Sequence, residues 1–524
     1  MNESGITYKD CRLVVLDDSH IEYSDDYQNQ AVGKVLKDEL VDRTIRRFVY
    51  WIDKNGNPVD PVGCKGEDLQ ILGQHLYNLL FTSKREKHPK TDQEISVRFC
   101  FENALKNFEQ DRRNNEQLRL RVILTFHQKA DELAALPWEF IHVPWQPESF
   151  FLAGKKTELI LTRCVPEAGD PNVPLDPGER PLKLLIVRSA PAGIGTVEAE
   201  DAINYIKSLH KEGVIEVEDL DNPTYAQLRE KVEARKPHIF HFIGHGRADP
   251  FEMPGLALQR EQKEIEEDQA LLGARNRHEV SKLAWAGSAI FVELFKNCPP
   301  RLVFLQACKG AASGYRFHST ARDLIKAKIP AVVAMQFEIT NEDANIFAQK
   351  FYQHLSAGRS VDEAVSEGRW ELGSSSLNRG AWNDRGFGTP VIYLQARGAL
   401  ISPRAGEAVP VEKKADDTLR STKVACPHSG CTGWVIPGAN WCTGCKGKLT
   451  VCPKCRGIST PGFCPNCGPV ADDTSSAVSA ARQVEPSFSH LQPGTPSTRE
   501  SLQAPVEPAS TKSTHVDVRA RLTQ

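Results

Sequence analysis

No stretch of this chain approaches the roughly 18 consecutive apolar residues that a membrane-spanning helix needs. Its first residues, MNESGITYKD, have neither the basic cluster nor the apolar segment of a secretory signal. Neither sign of charge dominates: 65 Lys and Arg stand against 68 Asp and Glu, a formal net charge of −3. That balance removes the general electrostatic case for an anionic membrane or a nucleic acid. No phosphate-cradling loop of the form G-x-x-x-x-G-K-[ST] follows an apparent strand, and APAGIGT (190–196) falls short of that pattern. These absences predict a cytoplasmic protein with no membrane partner; nucleic-acid binding is permitted but not indicated. The remainder is ordinary globular composition, 40% hydrophobic and 25% charged, and 524 residues suffice for two to four domains with cores of their own.

Cysteine is unevenly spread. Eight of the 14 lie between 426 and 467; Cys11, Cys64, Cys100, Cys164, Cys298 and Cys308 are scattered before them. In a reducing compartment disulfides are not expected, so the cluster needs another reason. It reads Cys426-x4-Cys431, Cys442-x2-Cys445, Cys452-x2-Cys455 and Cys464-x2-Cys467. Each short pair, set among Gly and Pro, can turn two thiolates toward one ion. Two such knuckles complete a tetrahedral site with no open position. Four pairs therefore predict two structural Zn2+ ions, paired sequentially by default, in a small double zinc ribbon that folds only with metal. Few basic residues accompany it (Lys446, Lys448, Lys454, Arg456), so a regulatory protein partner is at least as good an expectation as nucleic acid.

The rest divides by composition. Residues 1–165 mix helix and strand patterns: LRLRVILTF (118–126) alternates as a strand, and Leu69, Leu72, Leu76, Leu79 and Leu80 recur at helical spacing. Residues 166–181 are a proline-rich linker. From 182 to 398 apolar strands alternate with helical segments, among them a helix opened by a Thr224/Gln227 capping box. The expected fold class is α/β, a mostly parallel sheet sandwiched by helices, with an N-terminal α/β region and the small zinc-ribbon domain of four-cysteine sites. Residues 399–422 form a second linker, 423–470 the ribbons, and 471–524 a Ser/Pro/Thr/Ala-rich tail predicted to be disordered.

Within the α/β region two strands end in chemistry. RLVFLQACKG (301–310) runs an apolar strand into Cys308 and small residues; HIFHFIGHG (238–246) runs another into His245 between Gly244 and Gly246. At the carboxyl edge of a parallel sheet such loops bind ligands. If the strands are neighbours, imidazole and thiol face one place, as a cysteine nucleophile and its acid–base partner must. The backbone N–H groups of Gly246 and Cys308 are candidate oxyanion donors. A buried cysteine is more often apolar filler, and we read Cys298 so. His238 and His241, alternating with apolar residues, read as structural.

QACKG closely resembles the caspase signature Q-A-C-R-G, and His245 lies upstream at a separation near the ~50 residues usual there. The wider pattern resembles the CHAT family of caspase-like cysteine peptidases (clan CD). It rests on ALPWEF (135–140), HFIGHG, GLALQ (255–259), LQAC, the segment from IPAVVAMQF to DEAV, and FGTPVIYL, over roughly 120–396. The resemblance implies a His245–Cys308 dyad and cleavage of protein substrates through a thioester acyl-enzyme, with partner-dependent regulation and a place in bacterial signalling or defence. By analogy with caspases, Gln306 lines the substrate pocket. Glu338 and Asp249 near it would favour Arg or Lys, whereas Arg188 would argue for an acidic residue. The charged insertion 260–279 reads as a solvated loop or a processing site. The competing expectation is a catalytically silent scaffold of the same fold that binds partners through its ribbons.

Overall fold

The computed structural model describes residues 6–36, 66–89, 92, 94–146, 148–155, 158–166, 181–210, 215–247, 255–272, 280–307, 314–337, 339–374, 382 and 385–395, together with six two-residue strands between 424 and 469. Cys308, Asp249, Glu338, the tail 471–524 and seven of the eight clustered cysteines lie outside the described residues. Two compact units are present, Met1–Lys413 and Lys414–Gln524.

The first unit is built on one sheet of eleven strands. In chain order these are β1 (Thr7–Val15), β2 (His20–Asp25), β3 (Gln30–Lys34), β4 (Leu118–Phe126), β5 (Leu159–Cys164), β6 (Leu182–Ser189), β7 (Ile215–Asp221), β8 (Ile239–Gly244), β9 (Leu302–Ala307), β10 (Ala331–Met335) and β11 (Pro390–Leu394). Across the sheet the order is β7-β6-β8-β9-β10-β11-β5-β4-β1-β2-β3. The first five of these are parallel to one another. At β10 and β11 the direction reverses. Strands β11, β5, β4 and β1 then run parallel to one another, and β2 and β3 close that end as an antiparallel hairpin. Residues 1–165 and 182–398 thus contribute to the same sheet.

The apolar runs explain why the central strands are continuous rather than alternating: both faces are covered. Leu184 and Ile186 of β6 enter one core and Leu185 and Val187 the other; Leu302 and Phe304 of β9 divide from Val303 and Leu305 in the same way. The first core is roofed partly by α1 (Gly66–Leu80), α2 (Val97–Asn114), α3 (Glu200–His210), α8 (Asn341–Ser356) and α9 (Val361–Ser374). The second packs against α4 (Tyr225–Arg235), α6 (Ser288–Phe295) and α7 (Gly314–Lys326). All five leucines of the 69–80 stripe are buried on α1, as are Phe347, Phe351 and Leu355 on α8. The α4 capping box forms: Thr224 Oγ1 accepts from Gln227 N and Gln227 Oε1 from Thr224 N. The charged insertion carries a helix of its own, α5 (Gln262–Leu272). Among the described residues no helix is long and apolar enough to cross a membrane.

In the second unit the described strands form three short antiparallel pairs: Val424–Ala425 with Trp434–Val435, Thr450–Val451 with Ile458–Ser459, and Phe463–Cys464 with Gly468–Pro469. In the sequence these pairs bracket Cys426/Cys431, Cys452/Cys455 and Cys464/Cys467.

Candidate active site

Strands β6, β8 and β9 end level with one another. Ser189 pairs with Gly244, and Gly244 with Ala307. His245 follows the middle strand directly, and Cys308 follows Ala307 in the chain. The neighbourhood required for a dyad is therefore met by the two strands, while the thiol itself lies outside the described residues. Glycine before the histidine has a steric cause. A Cβ at Gly244 would lie 2.4 Å from the carbonyl oxygen of Ser189, so no larger residue lets β6 and β8 end so close together.

The His245 imidazole is largely buried, and its Nε2 lies 3.3 Å from the carbonyl oxygen of Gly195. A carbonyl can only accept, so Nε2 carries the proton there. The loop after β6, where Gly193 and Gly195 adopt φ of +103° and +87°, thus folds back onto the histidine. The sequence signal for this loop is its two glycines in APAGIGT, a pattern too short of a phosphate-binding loop to assign a role by itself. Gly246 pairs with Leu256 in a small antiparallel sheet that also contains Leu283–Ala286, and the carbonyl of His245 accepts from Ala257 N at 2.9 Å. Two residues past the histidine, the Arg247 guanidinium lies 4.9 Å from the Trp285 ring centroid, a cation–π contact no short motif reveals.

Gln306 is buried on β9, and its Oε1 is 3.2 Å from Nε2 of His241. His241 is fully buried and stacked on Phe304, with ring centroids 4.1 Å apart. Burial pulls its imidazole down to about 3, so the ring is neutral at physiological pH. His238 accepts from Lys183 N through Nδ1 at 3.2 Å, a strand-end contact. Arg188 is held at 2.6 Å by each carboxylate oxygen of Asp221 and at 3.1 Å by Glu200. Those hydrogen bonds raise its already high pKa and commit the fork to internal partners.

Behind the site the separated sequence blocks converge on Glu139 of ALPWEF, which is 0% exposed. It accepts from Arg163 Nε at 3.0 Å and from Gln336 Nε2, just past β10, at 2.8 Å. Arg369 of α9 stands 3.5 Å away and donates to the carbonyls of Pro390 (2.9 Å) and Leu161 (3.0 Å). Burial pulls Arg369 down to about 10, against the raising effect of Glu139, and it stays charged at neutral pH. A second buried cluster joins Arg121 of β4 to Asp362 at the start of α9 (2.7 Å) and Tyr8 of β1 to Glu363 (3.0 Å).

Among the described residues no group of three or more His, Cys, Asp or Glu could hold a metal ion. The side chains of the eight clustered cysteines lie outside the described residues.

The CHAT domain family matches the chain over residues 71–384, a span that includes both His245 and Cys308. No curated protein matches. Among solved structures, two crystal structures of the Saccharomyces cerevisiae separase-securin complex are similar, at 10% and 12% identity with TM-scores of 0.39 and 0.38. Each match covers 75% of this chain and 30% of the matched chain.

Proposed function

This chain belongs to the CHAT domain family, and from that premise we propose that it is a caspase-like cysteine endopeptidase acting on protein substrates through His245 and Cys308. The observation that carries the reading is the level pairing of Gly244 with Ala307, the residues immediately before the two reacting groups. The Cys308 thiolate attacks the scissile carbonyl carbon, and the oxyanion is held by the N–H groups of Gly246 and Cys308. Collapse breaks the C–N bond, imidazolium protonates the leaving amine, and a thioester remains. Water then attacks the thioester, giving the carboxylic acid and restoring the thiol. The Gly195 carbonyl, by accepting from Nε2, keeps the ring from turning and leaves Nδ1 as the basic nitrogen. An electrostatically stiff frame behind the site, anchored at Glu139, keeps the end of β10 beside that of β9.

We assign two structural Zn2+ ions to Cys426, Cys431, Cys442 and Cys445, and to Cys452, Cys455, Cys464 and Cys467. The short strand pairs set around Cys426/Cys431, Cys452/Cys455 and Cys464/Cys467 support the assignment, and Cys442/Cys445 enters it by spacing. Four thiolates per ion supply no open coordination position, so the ions stabilise fold rather than take part in peptide cleavage. The ribbons are the part we assign to a regulatory protein partner.

One experiment tests both readings: native mass spectrometry of the full chain before and after a peptidyl acyloxymethyl ketone. The expected result is two chelator-removable zinc ions and one adduct. The adduct is lost in Cys308→Ala and slowed about a hundredfold in His245→Ala. A folded, zinc-loaded chain that forms no adduct overturns the peptidase reading in favour of a scaffold. Fewer than two zinc ions overturns the ribbon assignment.

A further inference from the structure

The sheet face beneath the candidate site is an aromatic layer interrupted by a polar string. Phe304 of β9 packs with Phe347, Phe351 and Tyr352 of α8, at ring-centroid distances of 5.8, 5.5 and 6.4 Å. His241 lies in this layer, parallel to Phe304 and 5.7 Å from the Tyr352 ring. Phenylalanine would fill the same slot with no polar atom to satisfy. A histidine there needs a reason, because a half-satisfied polar group in a dry core is worse than an apolar one.

Its two nitrogens differ. Nε2 faces Gln306 Oε1 at 3.2 Å, whereas Nδ1 is buried with no partner among the described residues, as is the Tyr352 hydroxyl. A buried N–H without an acceptor costs more than a bare lone pair, so the proton of the neutral ring belongs on Nε2. Nε2–H then donates, and Gln306 must present its carbonyl oxygen rather than its amide nitrogen. His241 is in register with Phe304, two residues deeper in the sheet than Gln306. The amide nitrogen is the end of the side chain that His241 does not engage, on a residue two positions before Cys308 in the chain.

We propose that His241 is a positioning residue of the peptidase site: it locks the Gln306 side chain with its carbonyl inward, so that the edge beside Cys308 is offered amide N–H donors. This inference rests on the dyad reading and deepens it. A site with fixed donors there takes a substrate residue that carries a hydrogen-bond acceptor, such as Asn or Asp, over an apolar residue of the same shape.

The test compares two peptidyl acyloxymethyl ketones that differ only in the residue before the ketone, Asn against the near-isosteric Leu. Full-length wild type, His241→Phe, Gln306→Leu and the double variant are labelled. His241→Phe and Gln306→Leu each lower the Asn-to-Leu ratio of labelling rates about tenfold, the size of one neutral hydrogen bond, and the double variant lowers it no further. An unchanged ratio in His241→Phe, or an equal fall with both probes, overturns the proposal. Nitrogen-15 spectra of histidine-labelled protein, assigned with His241→Phe, report the tautomer independently: Nε2–H is expected, and Nδ1–H overturns the proposal. If neither probe labels a Cys308 that iodoacetamide alkylates, the peptidase reading falls. The tautomer then decides the orientation of Gln306 by itself.

Discussion

The two halves of the main sheet are built alike and stocked differently. On one side of the β10–β11 reversal five parallel strands bring uncharged or titratable polar groups toward their carboxyl ends: His241, held neutral by burial, Gln306, and the glycine-flanked His245. On the other side, beside neutral buried groups such as Thr162 and His142, stand buried charges tied to opposite charges, Arg163 and Arg369 to Glu139, and Arg121 to Asp362. A buried ion pair is an unforgiving tie, since removing one partner strands the other in a low dielectric. A neutral hydrogen-bonded group is cheaper to bury and can be turned by a neighbour, which suits a side chain that must meet a substrate. The difference teaches that residues 1–165 are joined to the shared sheet through buried ion pairs, Glu139 with Arg163 and Arg121 with Asp362 of α9.

The largest effect should come from breaking the charged half. Glu139→Ala leaves two guanidinium groups buried without their carboxylate and should cost about 3–5 kcal/mol, read as a fall in the urea midpoint. An unmoved midpoint would remove the contrast between the halves.

A smaller effect tests the neutral half. His241 has an ordinary value of 6.5 and, folded, about 3. Between those limits the unfolded chain binds a proton that the folded chain does not. Stability is therefore whole above pH 6.5 and falls as the pH drops toward 3. His241→Phe lacks this term, so relative to wild type it should gain about 2 kcal/mol between pH 7 and pH 5. Equal acid sensitivity of the two proteins would mean that His241 takes up a proton in the fold and is not held neutral.

The smallest effect is a control on interpretation. Thr224→Ala removes the α4 cap, should cost about 1 kcal/mol, and should leave labelling of Cys308 at its wild-type rate. A slowed rate would show that stability alone governs the site, and that the distinction drawn between the halves is one of degree.

Much of this was legible in the residues themselves. The strand runs around 182–189, 239–244 and 302–307, the leucine stripe of α1, the Thr224 cap and the buried face of α8 are local patterns. Each depends on spacing within a dozen residues, which is the range over which periodicity and capping act. His245 and Cys308 could be singled out for the same reason, since each sits where an apolar run meets small residues. The mixed α/β class with a mostly parallel sheet followed from strands alternating with helices.

What the sequence by itself determined, then, is where many of the strands and helices lie, which side chains are candidates for chemistry, and that eight cysteines recur in knuckle spacing. Only the tertiary structure decided that β8 and β9 are neighbours ending level, and that β11 turns against β10 to join residues 1–165 to the same sheet. It also decided that Gly195 reaches His245, that Arg188 is committed to Asp221 and Glu200, and that Gln306 leans on His241. All of these unite residues tens to hundreds of positions apart. Strand order and side-chain pairing arise from the simultaneous packing of two cores, and no window of local pattern contains that information.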